Sequence, residues 1–347
     1  MKRILELDYL KGILILLVIS FHLVYFEQLY PFIKQVVYTF HMPGFLLISG
    51  YLMNVSKQPK DFLRTLLWLA IPYIIMESGY IYMASLLPIN EHIDHLTPAV
   101  FLDRLLLHPL GPYWYLHTLI ICGAIYYLIH NSHLIIHNSL WGKLGEGLII
   151  GLAYFSVFYV LGTLLPLKGV GGSFSFSSAL YFLAGAAIHQ SGMKFLSAFS
   201  PLNYKDWGQL YPCVLAFLII FLYCFPHSWI LKILIVYFAI ATILWDFHWH
   251  NESKWLFIVY HIPLAFIPKG IMRSFIFLGR NSLVLYVFSP IFTILCKRFV
   301  PYLQFDHTGL IFLMVSLAFC VAGCLAIAWM MDLTGISRFF FGKKAIN

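Results

Sequence analysis

Asp8-Tyr9-Leu10-Lys11-Gly12-Ile13-Leu14-Ile15-Leu16-Leu17-Val18-Ile19-Ser20-Phe21-His22 reads as a membrane helix whose apolar run is interrupted by a lysine and, eleven positions later, a histidine. Hydrocarbon rejects ionisable groups, so those inside a span face the bundle interior or a polar path and mark function. On a continuous helix, eleven steps of about 100° return His22 to within roughly 20° of Lys11, and a rise of about 1.5 Å per residue separates them by roughly 16 Å. The expectation is one helix face that holds a cation near one membrane surface and an imidazole near mid-depth.

The rest of the chain extends this reading. With 61% hydrophobic residues, 10% charged residues and a mean hydropathy of +0.85, an ordinary soluble domain is excluded. Spans need about 20 mainly apolar residues, and ten stretches qualify: 12–30, 37–55, 63–86, 113–131, 146–165, 176–192, 210–225, 229–246, 281–299 and 309–331. The apolar segment 254–269 is short and interrupted by Pro263 and Pro268, so it reads as interfacial or half-buried. With ten spans and both termini cytoplasmic, fifteen lysines and arginines fall inside, against five outside: Lys34, Arg104, Lys168, Lys297 and Arg298. That split obeys the positive-inside rule, which an eleventh span would break. The expected protein is all-α and polytopic, a single transmembrane domain over 1–347 with no appended soluble domain.

The net charge of +8 follows largely from this topology and points to anionic lipid, not to nucleic acid. The first apolar run is long and no small-residue cleavage site follows it, so it is expected to stay as an anchored helix. All six cysteines fall in expected spans without Cys/His metal spacing. They read as packing residues, with no disulfide and no metal. Thr97-Pro98 announces a short amphipathic surface helix, as N-cap and first helical residue. Gly169 to Ser178 reads as a flexible loop.

Several residues carry candidate chemistry. Lys11 reads as a snorkelling lysine paired with Asp8, or as a cation placed for a phosphorylated donor. His22 is the candidate base or acyl carrier. In Phe40-His41-Met42-Pro43-Gly44, Pro43 removes an amide donor, while Gly44, Ser49 and Gly50 permit close backbone approach, so the second span is expected to be bent and tightly packed. Depth bookkeeping sets His41 in the same membrane half as His22. Glu77, thirteen residues after Arg64, comes to a similar depth, where it would orient an imidazole or satisfy a tyrosine or backbone group. Trp114 and His117 open the fourth span, as an interfacial aromatic belt or as a surface for a sugar ring. Arg280, Asn281 and Ser282 begin the ninth span, where a capped helix N-terminus beside an arginine can hold phosphate.

These residues resemble the acyltransferase-3 family of bacterial integral-membrane acyltransferases, in particular its sugar O-acetylase (fucose 4-O-acetylase-like) branch. Three passages carry the likeness: Asp8-x-x-Lys11-Gly12 with His22, Phe40-His41-Met42-Pro43 followed by Ser49-Gly50-Tyr51, and Gly279-x-Asn281-Ser282-Leu283 ending in Tyr286. The resemblance implies a ten-helix fold in the bacterial cytoplasmic membrane. It also implies acetyl-CoA or another acyl-CoA as cytoplasmic donor, and transfer to a hydroxyl of a glycan or lipid-linked sugar. The family's basic residue and histidine on helix one map onto Lys11 and His22, and its basic residue at the start of helix three maps onto Arg64. Many members have paired arginines there, where this chain has Lys60 and Arg64, and many have a histidine after Tyr286, where this chain reads Val287-Phe288-Ser289.

On this reading Lys11, Arg64 and Arg280, with Asn281 and Ser282, hold the donor. His22 and Glu77 serve the chemistry, and His41, Trp114 and His117 meet the acceptor. A transporter or flippase for a lipid-linked glycan or small metabolite is the alternative, because carriers also place polar residues at the midplane. The acceptor, the acyl length and any homo-oligomeric assembly stay open.

Overall fold

The computed structural model describes residues 3–86, 92–132, 142–164, 176–200, 208–252 and 269–346. Its regular elements among these residues are all helical. In chain order they are α1 (Leu5–Ser20), α2 (Val24–Leu29), α3 (Pro31–Leu52), α4 (Pro59–Leu86), α5 (Pro98–Leu106), α6 (Trp114–His130), α7 (Gly142–Leu164), α8 (Phe176–Gln190) and α9 (Phe195–Ala198). There follow α10 (Leu210–Cys224), α11 (Trp229–Glu252), α12 (Lys269–Arg280), α13 (Ser282–Cys296), α14 (Val300–Leu303), α15 (Leu310–Thr334) and α16 (Ile336–Phe341).

Among the described residues, five stretches are long and apolar enough to cross a membrane: Pro59–Leu86, Pro98–His130, Trp229–His248, Ser282–Leu303 and Leu310–Thr334. Gly147–Gly162 and Leu210–Cys224 are shorter apolar helices. The segment expected to be interfacial lies outside the described residues apart from Lys269, as does the Gly/Ser-rich loop up to residue 175. The short helix announced by Thr97 is present: its hydroxyl accepts the Val100 N–H at 3.2 Å, with Pro98 as first helical residue.

The first expected span differs from its sequence reading. It is not one helix over 12–30, because α1 stops at Ser20 and α2 restarts at Val24. The end tightens into three-residue turns, with His22 N–H donating to Ile19 and Leu23 N–H to Ser20, before Leu23 turns extended. No glycine or proline marks the break.

The chain divides into two compact units. The first comprises Met1–Phe45, Met193–Thr334 and Ala345–Asn347. Its centre is α1, whose Leu10, Leu14, Ile15 and Ile19 are completely buried; a helix apolar on every side belongs inside a bundle. Around it stand α11, α12, α13 and α15. α1 and α12 touch backbone to backbone through two glycines. A Cβ on Gly12 would overlap the Phe275 carbonyl, and one on Gly279 would overlap the Asp8 carbonyl. Such small-residue crossings drive helix association where no water is present to expel. Val36 of α3 joins Leu218 and Leu222 of α10 and Leu231 and Ile235 of α11 in a further apolar cluster.

The second unit comprises Leu46–Gly192 and Gly335–Lys344. It uses the same device, since a Cβ on Gly50 would strike the Phe182 carbonyl of α8 and one on Gly185 the Leu47 carbonyl of α3. The close packing expected of Gly50 is therefore present. α4 packs on α5, α6 and α16, and α6 on α7 and α8. Tyr126, Tyr154 and Phe182 form the buried aromatic centre between α6, α7 and α8.

Candidate functional site

The glycine crossing of α1 and α12 determines which charges meet. Asp8, 4% exposed, accepts an ion pair from Lys11 Nζ at 2.8 Å, one turn further along α1. Because Gly279 lets α12 lie against Asp8, Arg280 follows at once with Nε 3.5 Å from the same carboxylate, and Arg3 Nε approaches to 3.6 Å. One buried carboxylate thus gathers three cations whose side chains keep 20% to 53% of their surface open. The surplus positive charge faces outward, a composition suited to phosphate. Arg3 entered the sequence reading only as one of the fifteen basic residues counted on the cytoplasmic side.

Asn281 stands at the N-cap position of α13 without a side-chain cap bond. Its amide donates back to the Phe277 carbonyl of α12 at 2.9 Å, which corrects the expectation of a capping side chain. Ser282 is half-buried in the first turn of α13. Tyr9 completes the frame: its hydroxyl donates to Asp246 of α11 at 2.5 Å, and its ring meets Phe275 edge-on with centroids 5.7 Å apart.

The opposite end of α1 carries His22. It sits past the last helical residue, in the turn before α2, and its side chain is exposed. The helical-face argument therefore holds only up to Ser20, and the turn sets the imidazole's direction. Nδ1 lies 2.6 Å from the Val18 carbonyl. A carbonyl can only accept, so Nδ1 carries a proton, and in the neutral imidazole Nε2 keeps its lone pair. His41 has the same arrangement, with Nδ1 2.7 Å from the Val37 carbonyl, and it is 3% exposed.

Tyr38, which the sequence reading passed over, stands between the two histidines. Its ring stacks on His22 at 6.2 Å and 28°, and tilts against His41 at 5.0 Å and 43°. Its hydroxyl donates at 3.0 Å to the Phe21 carbonyl, which the break in α1 has released. Lys34, paired with Glu27 at 2.8 Å, lies 5.3 Å from the centre of the Tyr38 ring. Spacing Tyr38 one turn before His41 was the available signal.

Glu77, Trp114 and His117 belong to the second unit. Glu77 is completely buried and its Oε1 accepts the Leu110 N–H at 2.6 Å, the backbone partner that was one of the two readings left open. His117 Nε2 donates to the Leu106 carbonyl at 2.9 Å, while Tyr73, packed on the His117 ring, donates to Leu105 at 2.6 Å. These carbonyls end α5 and need partners outside the helix. Glu77, Tyr73 and His117 thus hold the connector between α5 and α6, where Gly111 has a φ of +57° and Tyr80 fills the space a Cβ would take. Trp114, half-buried, starts α6 directly after it. Arg64 is exposed near the start of α4.

The described residues form an all-helical fold with several apolar spans, as expected of a multi-pass membrane protein, with a cation cluster at one end of α1 and the His22 imidazole beyond the other. The acyltransferase-3 family, described as an acyltransferase domain, matches residues 4–331. The chain belongs to that family and is a membrane acyltransferase. No curated protein and no solved structure matches it.

Proposed function

We propose that the protein is an O-acyltransferase of the bacterial cytoplasmic membrane that moves an acetyl or other acyl group from cytoplasmic acyl-CoA to a hydroxyl of an envelope glycan or lipid-linked sugar. The observation that carries this reading is the polarity of α1. Asp8, Lys11 and Arg280 gather at one end, and His22 stands in the turn beyond the other, past the nine residues, or about 14 Å of helix, that run from Lys11 to Ser20. A donor with an anionic head and a thin arm ending in a thioester suits that separation. Ten spans with both termini cytoplasmic put the cation cluster on the donor's side and agree with the basic-residue count.

Lys11 and Arg280, with the backbone around Asn281 and Ser282, hold the phosphates. His22 Nε2 removes the proton of the acceptor hydroxyl as its oxygen attacks the thioester carbonyl. The carbon–oxygen bond forms, the carbon–sulfur bond breaks, and the departing thiolate recovers the proton from the imidazolium. In the variant path Nε2 itself takes the acyl group before passing it on. The hydrogen bond to Val18 holds the required tautomer in either case. His41 belongs to the acceptor side, and within the second unit Glu77 and His117 hold the connector that presents Trp114.

The deciding experiment follows labelled acetyl from acetyl-CoA into glycan in membranes that contain the wild type or His22→Ala at equal expression. Labelled product that disappears in the variant supports the proposal. Absence of any CoA-dependent labelling with wild type and native acceptor present overturns it.

A further inference from the structure

Immediately after His22, within the first unit, the chain lines a cavity of about 380 Å³, inside the range of roughly 300–1,000 Å³ occupied by small-molecule sites. Leu23, Tyr25 and Gln28 form one wall, and Thr293, Lys297 and Pro301 another, with Phe312 behind them. Phe312 is 1% exposed and meets the Tyr25 ring edge-on at 5.1 Å, so the floor is apolar and aromatic. The rim is polar. Among the described residues the Tyr25 hydroxyl, the Gln28 amide and the Lys297 ammonium make no side-chain hydrogen bond or ion pair within the protein. No carboxylate lines the cavity, and nearby Glu27 is already paired with Lys34.

An aromatic floor with hydroxyl and amide groups around it fits a sugar ring, which offers C–H groups on its face and hydroxyls at its edge. A single uncompensated cation at the rim adds a requirement for negative charge. We infer that this cavity seats the acceptor and that Lys297 selects a saccharide bearing an acidic group, a phosphate or a carboxylate. The inference rests on the acyl-transfer reading, because it makes this cavity, whose lining begins at Leu23 next to His22 in the chain, the place where the accepting hydroxyl waits.

The test measures equilibrium binding of glucose 1-phosphate, glucuronate and glucose to the purified full chain in nanodiscs made with and without phosphatidylglycerol, for wild type and Lys297→Gln. Acetyl-CoA binding is measured in parallel. The expected result is that both charged sugars bind about fivefold more tightly than glucose. That advantage should vanish in Lys297→Gln, while acetyl-CoA binding is unchanged. Equal binding of charged and neutral sugars, an advantage that survives in Lys297→Gln, or a Lys297 effect confined to phosphatidylglycerol would overturn the inference, the last by making the site a lipid headgroup contact. Loss of acetyl-CoA binding in the wild type, with selective sugar binding intact, would instead count against the acyl-transfer reading.

Discussion

The Tyr38 hydroxyl donates to the Phe21 carbonyl at 3.0 Å, across the break that ends α1. Phe21 is buried, and a carbonyl released by a helix end there needs a partner from the protein. The bond also holds the turn that carries His22, while the same ring stacks on the imidazole. Tyr38→Phe keeps the ring and removes one hydrogen bond, a loss of about 0.5–1.5 kcal/mol. If that loss falls on the reactive geometry, kcat for acyl transfer drops roughly twofold to tenfold, with KM for acetyl-CoA unchanged. Steady-state kinetics on the purified variant reads the split, and a lower melting temperature with normal kcat would reduce Tyr38 to a structural role.

Lys11 and His22 should separate donor binding from chemistry. Lys11→Gln removes a cation from the Asp8 cluster, so KM for acetyl-CoA should rise roughly fivefold to twentyfold. The effect should shrink as salt is added, since Lys11 is partly open. His22→Gln should lower kcat by about 10²–10⁴ and leave acetyl-CoA binding near wild type. Equal losses of binding in both variants would argue against two separate tasks.

The glycine crossing makes a prediction about stability. Gly12→Ala and Gly279→Ala each set a methyl group against a backbone carbonyl that cannot move aside cheaply, and overpacking of this kind costs about 1–3 kcal/mol. Gly79, on α4, has open space where its Cβ would lie. There alanine should stabilise by about 0.4–1 kcal/mol. Thermal unfolding in one detergent for all three variants tests the contrast, and similar shifts at every position would sink it.

Glu77→Gln preserves a carbonyl oxygen for the Leu110 amide, whereas Glu77→Leu removes it. If Glu77 acts by holding the connector, the glutamine variant keeps most of the activity and the leucine variant loses both activity and melting temperature. Equal loss of activity in the two, with the glutamine variant stably folded, would show that the negative charge itself is needed.

Ahead of α15, Asp306 accepts hydrogen bonds from the Ile311 amide at 2.8 Å, the Thr308 hydroxyl at 2.6 Å and the Thr308 amide at 2.9 Å. Led by the Ile311 bond, they hold its carboxyl below the ordinary value of 3.8. Its folded pKa is depressed, so its contribution is complete above the unfolded value and is lost as pH falls through the lower folded one. Expressed as protection factors, which remove the intrinsic pH dependence of exchange, the Thr308 and Ile311 amides should stay protected at pH 5 and lose protection only as pH falls through the depressed folded value, below 3.8. Asp306→Ala should lack that protection on both sides of the transition, and a pH-independent wild-type protection factor would contradict the assignment.

How far the site was legible follows from what each signal depends on. Hydropathy is a local property, which is why α4, α11, α13 and α15 could be placed from composition. The break at Phe21 to Leu23 could not, because isoleucine, valine and leucine surround it and neither glycine nor proline announces it. Lys11 and Asp8 are neighbours on one helix turn and their pairing was readable, whereas Arg280 joins them only because Gly279 brings α12 against α1.

The sequence by itself determined a polytopic helical protein, the pairing of a cation and a histidine near opposite ends of its first apolar segment, and membership of the acyltransferase-3 family. Those features reside in composition and in short spacings, which survive without knowledge of any contact. Only the tertiary structure decided which ring nitrogen of His22 is free, that Tyr38 stands between His22 and His41, that Glu77 and His117 hold a connector, and that a cavity with Lys297 at its rim opens beyond His22. Each depends on groups that meet in space through helix crossings and turns, and in the anhydrous interior of a bundle those meetings choose every hydrogen-bond partner.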